Sequence, residues 1–201
     1  VTEDVLWLTD RMKDWEIAGY EPAKGAEYFI GKRLQLGELQ SAYASFMIAL
    51  SDYVRFIEQD YYAKKMDAGK KQLAGQRSYL NLVEREHTLT EKEMELAQSM
   101  YDRDSILYAR NAMIVAEFEE SGSRYLQSLR TRETSGMSLL QAEMQLKQQE
   151  ENLLDLGKQA YDEEQNRRLE LKNAIEQLQA QLSSWAQNYL LVVLFTVRSL
   201  L

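Results

Sequence analysis

A single proline, Pro22, stands in a chain of 201 residues, and this scarcity constrains the fold more than any other feature. Proline breaks a helix by removing a backbone donor and crowding the preceding turn, so almost nothing after the first two dozen residues forbids helix. The same stretch is rich in Leu, Glu, Gln, Ala, Lys and Arg, all good helix formers. The sequence predicts an all-α fold. A short first helix is expected from Glu3 to about Ala18, with Thr2 as N-cap, an apolar stripe of Val5, Leu8, Met12 and Trp15, and Gly19 as the stop. Tyr20 to Arg33, with Pro22, Gly25 and Gly31, reads as an irregular connector, so residues 1–34 form a short helix plus connector.

From Leu36 the apolar spacing becomes diagnostic. Leu36, Leu39, Tyr43, Phe46, Leu50, Tyr53 and Ile57 alternate steps of three and four, the a/d seam of a coiled coil. The seam weakens across residues 60–75, where Gly69 and Gly75 each cost about 1 kcal/mol relative to Ala. A kink or stutter is expected there, after which Leu82, Leu89, Leu96, Met100, Arg103 and Leu107 resume the pattern. Further on, Leu139, Ala142, Leu146, Gln149, Leu153, Leu156 and Ala160 form another seam, continued in a shifted register by Leu171, Ile175, Leu178, Leu182, Trp185 and Tyr189. A second long helix is therefore expected to end near Tyr189.

Turn chemistry offers three places for the reversal: Asn111 to Val115, Ser121-Gly122-Ser123, and Thr134 to Gly136. Geometry favours the first, because it leaves two arms of near-equal length, 36–110 and 116–189, each roughly 110 Å long at 1.5 Å per residue. The expected architecture is a long antiparallel coiled-coil hairpin over 35–189, with its tip at 111–115 and no thick interior for a substrate cavity. The tip sequence NAMIV is apolar where a connector should be polar, and exposed apolar clusters mark partner sites. Helix running through NAMIV to a turn at Ser121 fits the pattern equally well.

Composition narrows the function. With no cysteine, the chain has no disulfide, thiolate metal site or cysteine nucleophile. A net charge of −8, with only scattered basic pairs at Lys64-Lys65, Lys70-Lys71 and Arg167-Arg168, argues against nucleic acid. The longest apolar run, Leu190 to Val197, is far short of the roughly 20 residues that cross a bilayer, and no signal peptide is visible. The first residue is Val rather than Met, as in a segment of a longer chain.

Glu84, three residues before His87, shares a helix face with it, and Glu91 lies one turn further on. Helical di-iron sites use that Glu-x-x-His spacing twice. His87 is the only histidine, so one copy does not complete such a site, and charge pairing on a solvated face accounts for it. Glu117 with Glu120, and Glu163 with Glu164, read the same way. No GxGxxG, Walker, GxSxG or HExxH pattern occurs, so no cofactor is expected and an enzyme is not. Tyr43, Phe46 and Tyr53 fall on the seam and read as core filling rather than a stacking platform.

Five strings carry a resemblance: LGELQSAYASF (36–46), DYY followed by KK (60–65), ELAQSMYDRDSILYAR (95–110), EFEES (117–121) and WAQNYLL (185–191). From about Glu3 to Leu191 the chain resembles the α-helical hairpin of HlyD-type membrane fusion proteins, the periplasmic adaptors of Gram-negative secretion and efflux systems. The resemblance implies a non-enzymatic homo-oligomer that bridges an inner-membrane transporter to a TolC-like outer-membrane channel. It also implies a periplasmic location, with an inner-membrane anchor and lipoyl-like and β-barrel domains outside these residues. In that family the hairpin tip carries an Arg, a Leu four residues on and a Ser seven after that. Arg103 and Leu107 match the first two, Ile114 stands where Ser is expected, and Asn111 and Val115 replace the usual Gly and Pro. The implied partner-binding residues are Arg103, Leu107, Asn111, Met113 and Ile114.

The resemblance stops after Leu191. Such adaptors continue with a string like APIDGTVS, whereas this chain reads VVLFTVRSLL. A shifted reading of codons permitted for Val193 to Ser199 yields Pro-Ile-Tyr-Gly-Thr-Val, so 190–201 is expected to be a truncated or frameshifted tail. Two other readings compete with the adaptor. One is a structural coiled coil or spectrin-like bundle, turning at Ser121 or Thr134, with no channel partner. The other is a helical metal-dependent oxidase.

Overall fold

The computed structural model describes residues 2–198, with side chains to residue 192, and every regular element among them is helical. Five α-helices follow in order: α1 (Thr2–Ile17), α2 (Pro22–Phe29), α3 (Gln40–Gln59), α4 (Tyr61–Ala109) and α5 (Val115–Arg198), with a 3₁₀ turn at Gly37–Leu39 before α3. The fold is all-α, an antiparallel coiled-coil hairpin preceded by a short N-terminal helix. Two units are distinguished: Val1–Ala63 with Lys158–Leu201, and Lys64–Gly157.

In the first unit, α1 buries the stripe Val5, Leu8, Met12 and Trp15. Thr2 is its first helical residue rather than its cap. The helix ends where expected: Gly19 takes φ +69°, its N–H reaches Glu16 O at 2.9 Å and that of Tyr20 reaches Trp15 O at 3.0 Å, a Schellman closure. The expected irregular connector is instead largely helical. Pro22 opens α2, because the first helical position needs no N–H and its ring already holds a helical φ.

The hairpin base is not a thin seam. Trp15, Phe29 and Phe46 meet edge to face, with centroids 5.2–5.8 Å apart. Leu36, Leu39, Tyr43, Leu50 and Tyr53 on one side, and Leu171, Ile175, Leu178 and Leu182 of α5 on the other, complete one core. Ile57, read as the next seam residue, is exposed. A half-open groove of about 480 Å³ lies beside this core, lined by Tyr20, Pro22, Tyr53, Leu171 and Ile175 among others.

The Tyr43 ring is buried, and its hydroxyl has no hydrogen-bond partner among the described residues. Burial pushes its pKa up. An unsatisfied buried hydroxyl costs about 1–3 kcal/mol, so Tyr43→Phe is expected to stabilise the protein by about 1 kcal/mol. Chemical denaturation should show a higher midpoint at unchanged slope, and a lower midpoint would mean that the hydroxyl has a partner.

The interruption of the first arm falls at Asp60, which takes the left-handed conformation (φ 48°) between α3 and α4. Gly69 and Gly75 lie inside uninterrupted helix, so the arm 36–110 is two helices broken before the glycines. The seam of α4 also lies on a different face from the expected one. Leu82, Leu89 and Leu96 are about 60% exposed (62%, 60% and 59%), Met100, Arg103 and Leu107 are exposed as well, and Val83 and Thr90 are the buried positions.

The less exposed positions of α4 run Met66, Gly69, Leu73, Gln76, Leu80, Val83, His87, Thr90, Met94, Ala97, Tyr101 and Asp104, a heptad pattern without a break. Gly69, Gln76, His87, Thr90 and Ala97 share it with larger apolar residues, and at Gly69 the helices approach closely: a Cβ there would stand 2.7 Å from Leu153 Cδ1. On α5, Leu139, Ala142, Leu146, Gln149, Leu153, Leu156 and Ala160 do form the seam. It also extends towards the tip through Phe118, Ser121, Tyr125, Ser128, Arg132 and Ser135. Helix α5 continues past Tyr189 to Arg198. Residues 190–198 of the expected tail thus belong to α5, with Leu190, Leu191 and Val192 exposed, and only 199–201 lie outside the described residues.

Candidate functional site at the hairpin tip

The chain reverses between Ala109 and Val115, while helix runs through Ser121-Gly122-Ser123 and Thr134 to Gly136. Asn111 takes φ 57°, its N–H donates to Tyr108 O (2.9 Å), and the N–H of Ala112 donates to Leu107 O (2.9 Å). This is the Schellman closure used at Gly19. Asparagine serves as the C′ residue because its short polar side chain tolerates the left-handed region better than most.

Two layers of side chains hold the ends of α4 and α5 together. Tyr108 stacks on Phe118 (4.7 Å, 6°), Phe118 on Tyr101 (5.4 Å, 17°) and Tyr101 on Tyr125 (5.5 Å, 14°), a ladder of rings through the seam. Next to it, Ser121 Oγ donates to Asp104 Oδ2 at 2.7 Å. Neither layer was among the sequence expectations, though the heptad steps of Phe118, Ser121 and Tyr125 carry the signal.

The five residues implied by the resemblance lie at or beside this turn. Asn111 acts through its backbone conformation, Met113 is half-buried, and Ile114 is 65% exposed. Arg103 is off the seam, its side chain 66% exposed, with Nε 3.5 Å from Asp104 Oδ1. Leu107 is exposed one turn further on. Arg103 therefore does not fill the seam: Asp104 takes that position and Arg103 stands outside it. Leu96, Met100, Arg103 and Arg124 line part of a groove of about 320 Å³ on this face. Such a surface can offer charge-assisted donors and apolar contact to another helix.

His87 sits in the seam away from the tip. Its Nδ1 lies 3.2 Å from Ser135 Oγ and its Nε2 3.5 Å from Glu91 Oε1, and Arg132 approaches the same carboxylate at 3.8 Å. These contacts tie it to a polar layer of the interface. Among the described residues no group of three or more His, Cys, Asp or Glu side chains is placed to hold a metal ion, and no helix is long and apolar enough to cross a membrane. The sequence matches no family model, and neither the curated proteins nor the solved structures include a match.

Proposed function

We propose that this chain is the helical hairpin of a HlyD-type periplasmic adaptor. In this reading it self-associates and bridges an inner-membrane transporter to a TolC-like outer-membrane channel during secretion or efflux. The adaptor works in the periplasm, held at the inner membrane through a segment outside this sequence. The observation that supports the reading best is the exposure of Arg103 and Leu107, one turn apart beside a closed helix end, with neither spent on the hairpin's own seam. Residues four apart share a helix face, so a partner helix can accept a charge-assisted hydrogen bond from the guanidinium while packing on the leucine.

Because both side chains are exposed, replacing them should leave folding intact. In the full-length adaptor, Arg103→Ala combined with Leu107→Asp is expected to abolish export while helicity and the melting temperature stay near wild type. Ile114→Ser is expected to preserve or improve export. Secretion and thermal melting, measured on the same variants, decide it: normal export by the double variant overturns the channel assignment and leaves a coiled coil with no such partner.

A further inference from the structure

The groove beside the first unit's core is built from three segments of the chain. The α1–α2 turn gives it Tyr20 and Pro22, α3 gives Tyr53, and α5 gives Leu171 and Ile175. Its volume of about 480 Å³ falls within the range of small-molecule sites. Tyr20 takes φ 57° directly after Gly19 at 69°, a left-handed conformation that bulky residues seldom adopt. Two contacts hold it there: its ring meets Trp15 edge to face at 5.2 Å, and its hydroxyl accepts a hydrogen bond of 2.8 Å from Gln179 Nε2. Backbone strain that tertiary contacts over-determine in this way is concentrated at ligand clamps.

The polar groups of the groove select the ligand. Glu176 pairs with Lys172 on its own helix at 3.7 Å and Glu21 with Lys24 at 3.4 Å, whereas Arg168 has no ion-pair partner among the described residues. In a chain of net charge −8, that leaves a spare cation beside an apolar slot. Tyr53 is only 8% exposed, and its hydroxyl also has no hydrogen-bond partner among the described residues. Unlike the Tyr43 hydroxyl it is not sealed in the core, and the groove is the opening that Tyr53 lines. An unpaired hydroxyl so nearly buried costs free energy that an acceptor on a ligand would recover. Along α5 the groove runs from Arg168 past Leu171 and Ile175 to Gln179, which holds Tyr20, a span of roughly 16 Å at 1.5 Å per residue. A cation thus stands at one end and an aromatic ring at the other.

We propose that this groove binds a small amphipathic monocarboxylate. The carboxylate accepts hydrogen bonds from the Arg168 guanidinium and the Tyr53 hydroxyl, and the apolar body lies along Leu171 and Ile175 towards Tyr20 and Pro22. An aromatic acid and a medium-chain fatty acid share this chemistry. The site stands apart from the adaptor reading, because every residue in it belongs to the first unit and Arg103 and Leu107 take no part.

Calorimetric titration of the full chain tests it with two probes, naphthoate for the aromatic acids and decanoate for the fatty acids. At least one is expected to bind saturably, and the tighter of the two shows which kind of acid the groove takes. The matching neutral alcohol, naphthylmethanol or decanol, should bind about tenfold more weakly, the scale of a hydrogen bond to a charged group. Arg168 is exposed, so Arg168→Gln should keep the fold, weaken binding of the acid about tenfold and leave that of the alcohol unchanged. Tyr53→Phe keeps the ring and should weaken the acid severalfold, while Arg85→Gln, an exposed cation on α4, should change nothing. Melting followed by circular dichroism checks that each variant is folded. No saturable binding of either acid, equal affinity for acid and alcohol, or wild-type binding of the acid by Arg168→Gln or Tyr53→Phe would overturn the proposal.

Discussion

Trp15→Ala is expected to lower the stability of the first unit by about 3–5 kcal/mol, the range for removing a large aromatic side chain from a closed core. The indole is fully buried, meets Phe29, Phe46 and Tyr20 edge to face, and donates its Nε1–H to Glu21 O at 2.7 Å. It thereby ties α1 to the start of α2. Helix α2 also packs directly on the ring, since a Cβ on Gly25 would stand 2.5 Å from Trp15 Cζ2. The neighbours are large, rigid rings, so the space left behind does not close readily. Trp7 and Trp185 remain in the variant and pack against the same core, so fluorescence-detected denaturation still reports this unit. Leu6→Ala, on the exposed side of α1, serves as the control and should change stability by less than about 1 kcal/mol. Near-equal losses for the two variants would mean that α1 does not pack as described.

How much of this was legible in the sequence depends on how strongly each segment's chemistry points one way. The α1 stripe was readable because Val5, Leu8, Met12 and Trp15 recur at steps of three and four up to a glycine stop, a run that Leu6, Trp7 and Ile17 do not form. Helix α2 was hidden because Pro22, Gly25 and Gly31 are loop-favouring by propensity. Yet a proline at the first helical position and a glycine beneath an indole both support a packed helix. The break at Asp60 carried no strong local signal, since aspartate visits the left-handed region only in certain contexts.

The face of α4 was misread for a physical reason. Leucine is the usual mark of a seam, but this interface admits Gly69, His87, Thr90 and Ala97 beside Leu73 and Leu80, while Leu82, Leu89 and Leu96 face outward. Moving the seam from Leu82 to Val83 changes what the tip means. It takes Arg103 out of the interface, puts Asp104 in it beside Ser121, and leaves an apolar stripe facing outward.

That one-residue difference in register yields the second large effect. Val83 is 6% exposed in the interface between α4 and α5, whereas Leu82, its immediate neighbour, is 62% exposed. A carboxylate placed at position 83 would lose its water without gaining a partner, and an uncompensated buried charge costs several kcal/mol or forces the interface apart. Val83→Asp is therefore expected to destabilise the second unit by about 3 kcal/mol or more, whereas Leu82→Asp should shift it by no more than about 0.5 kcal/mol, as exposed substitutions do. Leucine is the larger residue, so a ranking by hydrophobicity alone predicts the reverse order. Amide hydrogen exchange along α4, measured at low protein concentration to keep copies apart, separates the two outcomes. Faster exchange spreading from position 83 in Val83→Asp, with near wild-type protection in Leu82→Asp, places the seam on Val83, Thr90 and Tyr101. The opposite pattern would return it to the leucines and put Arg103 back inside the hairpin.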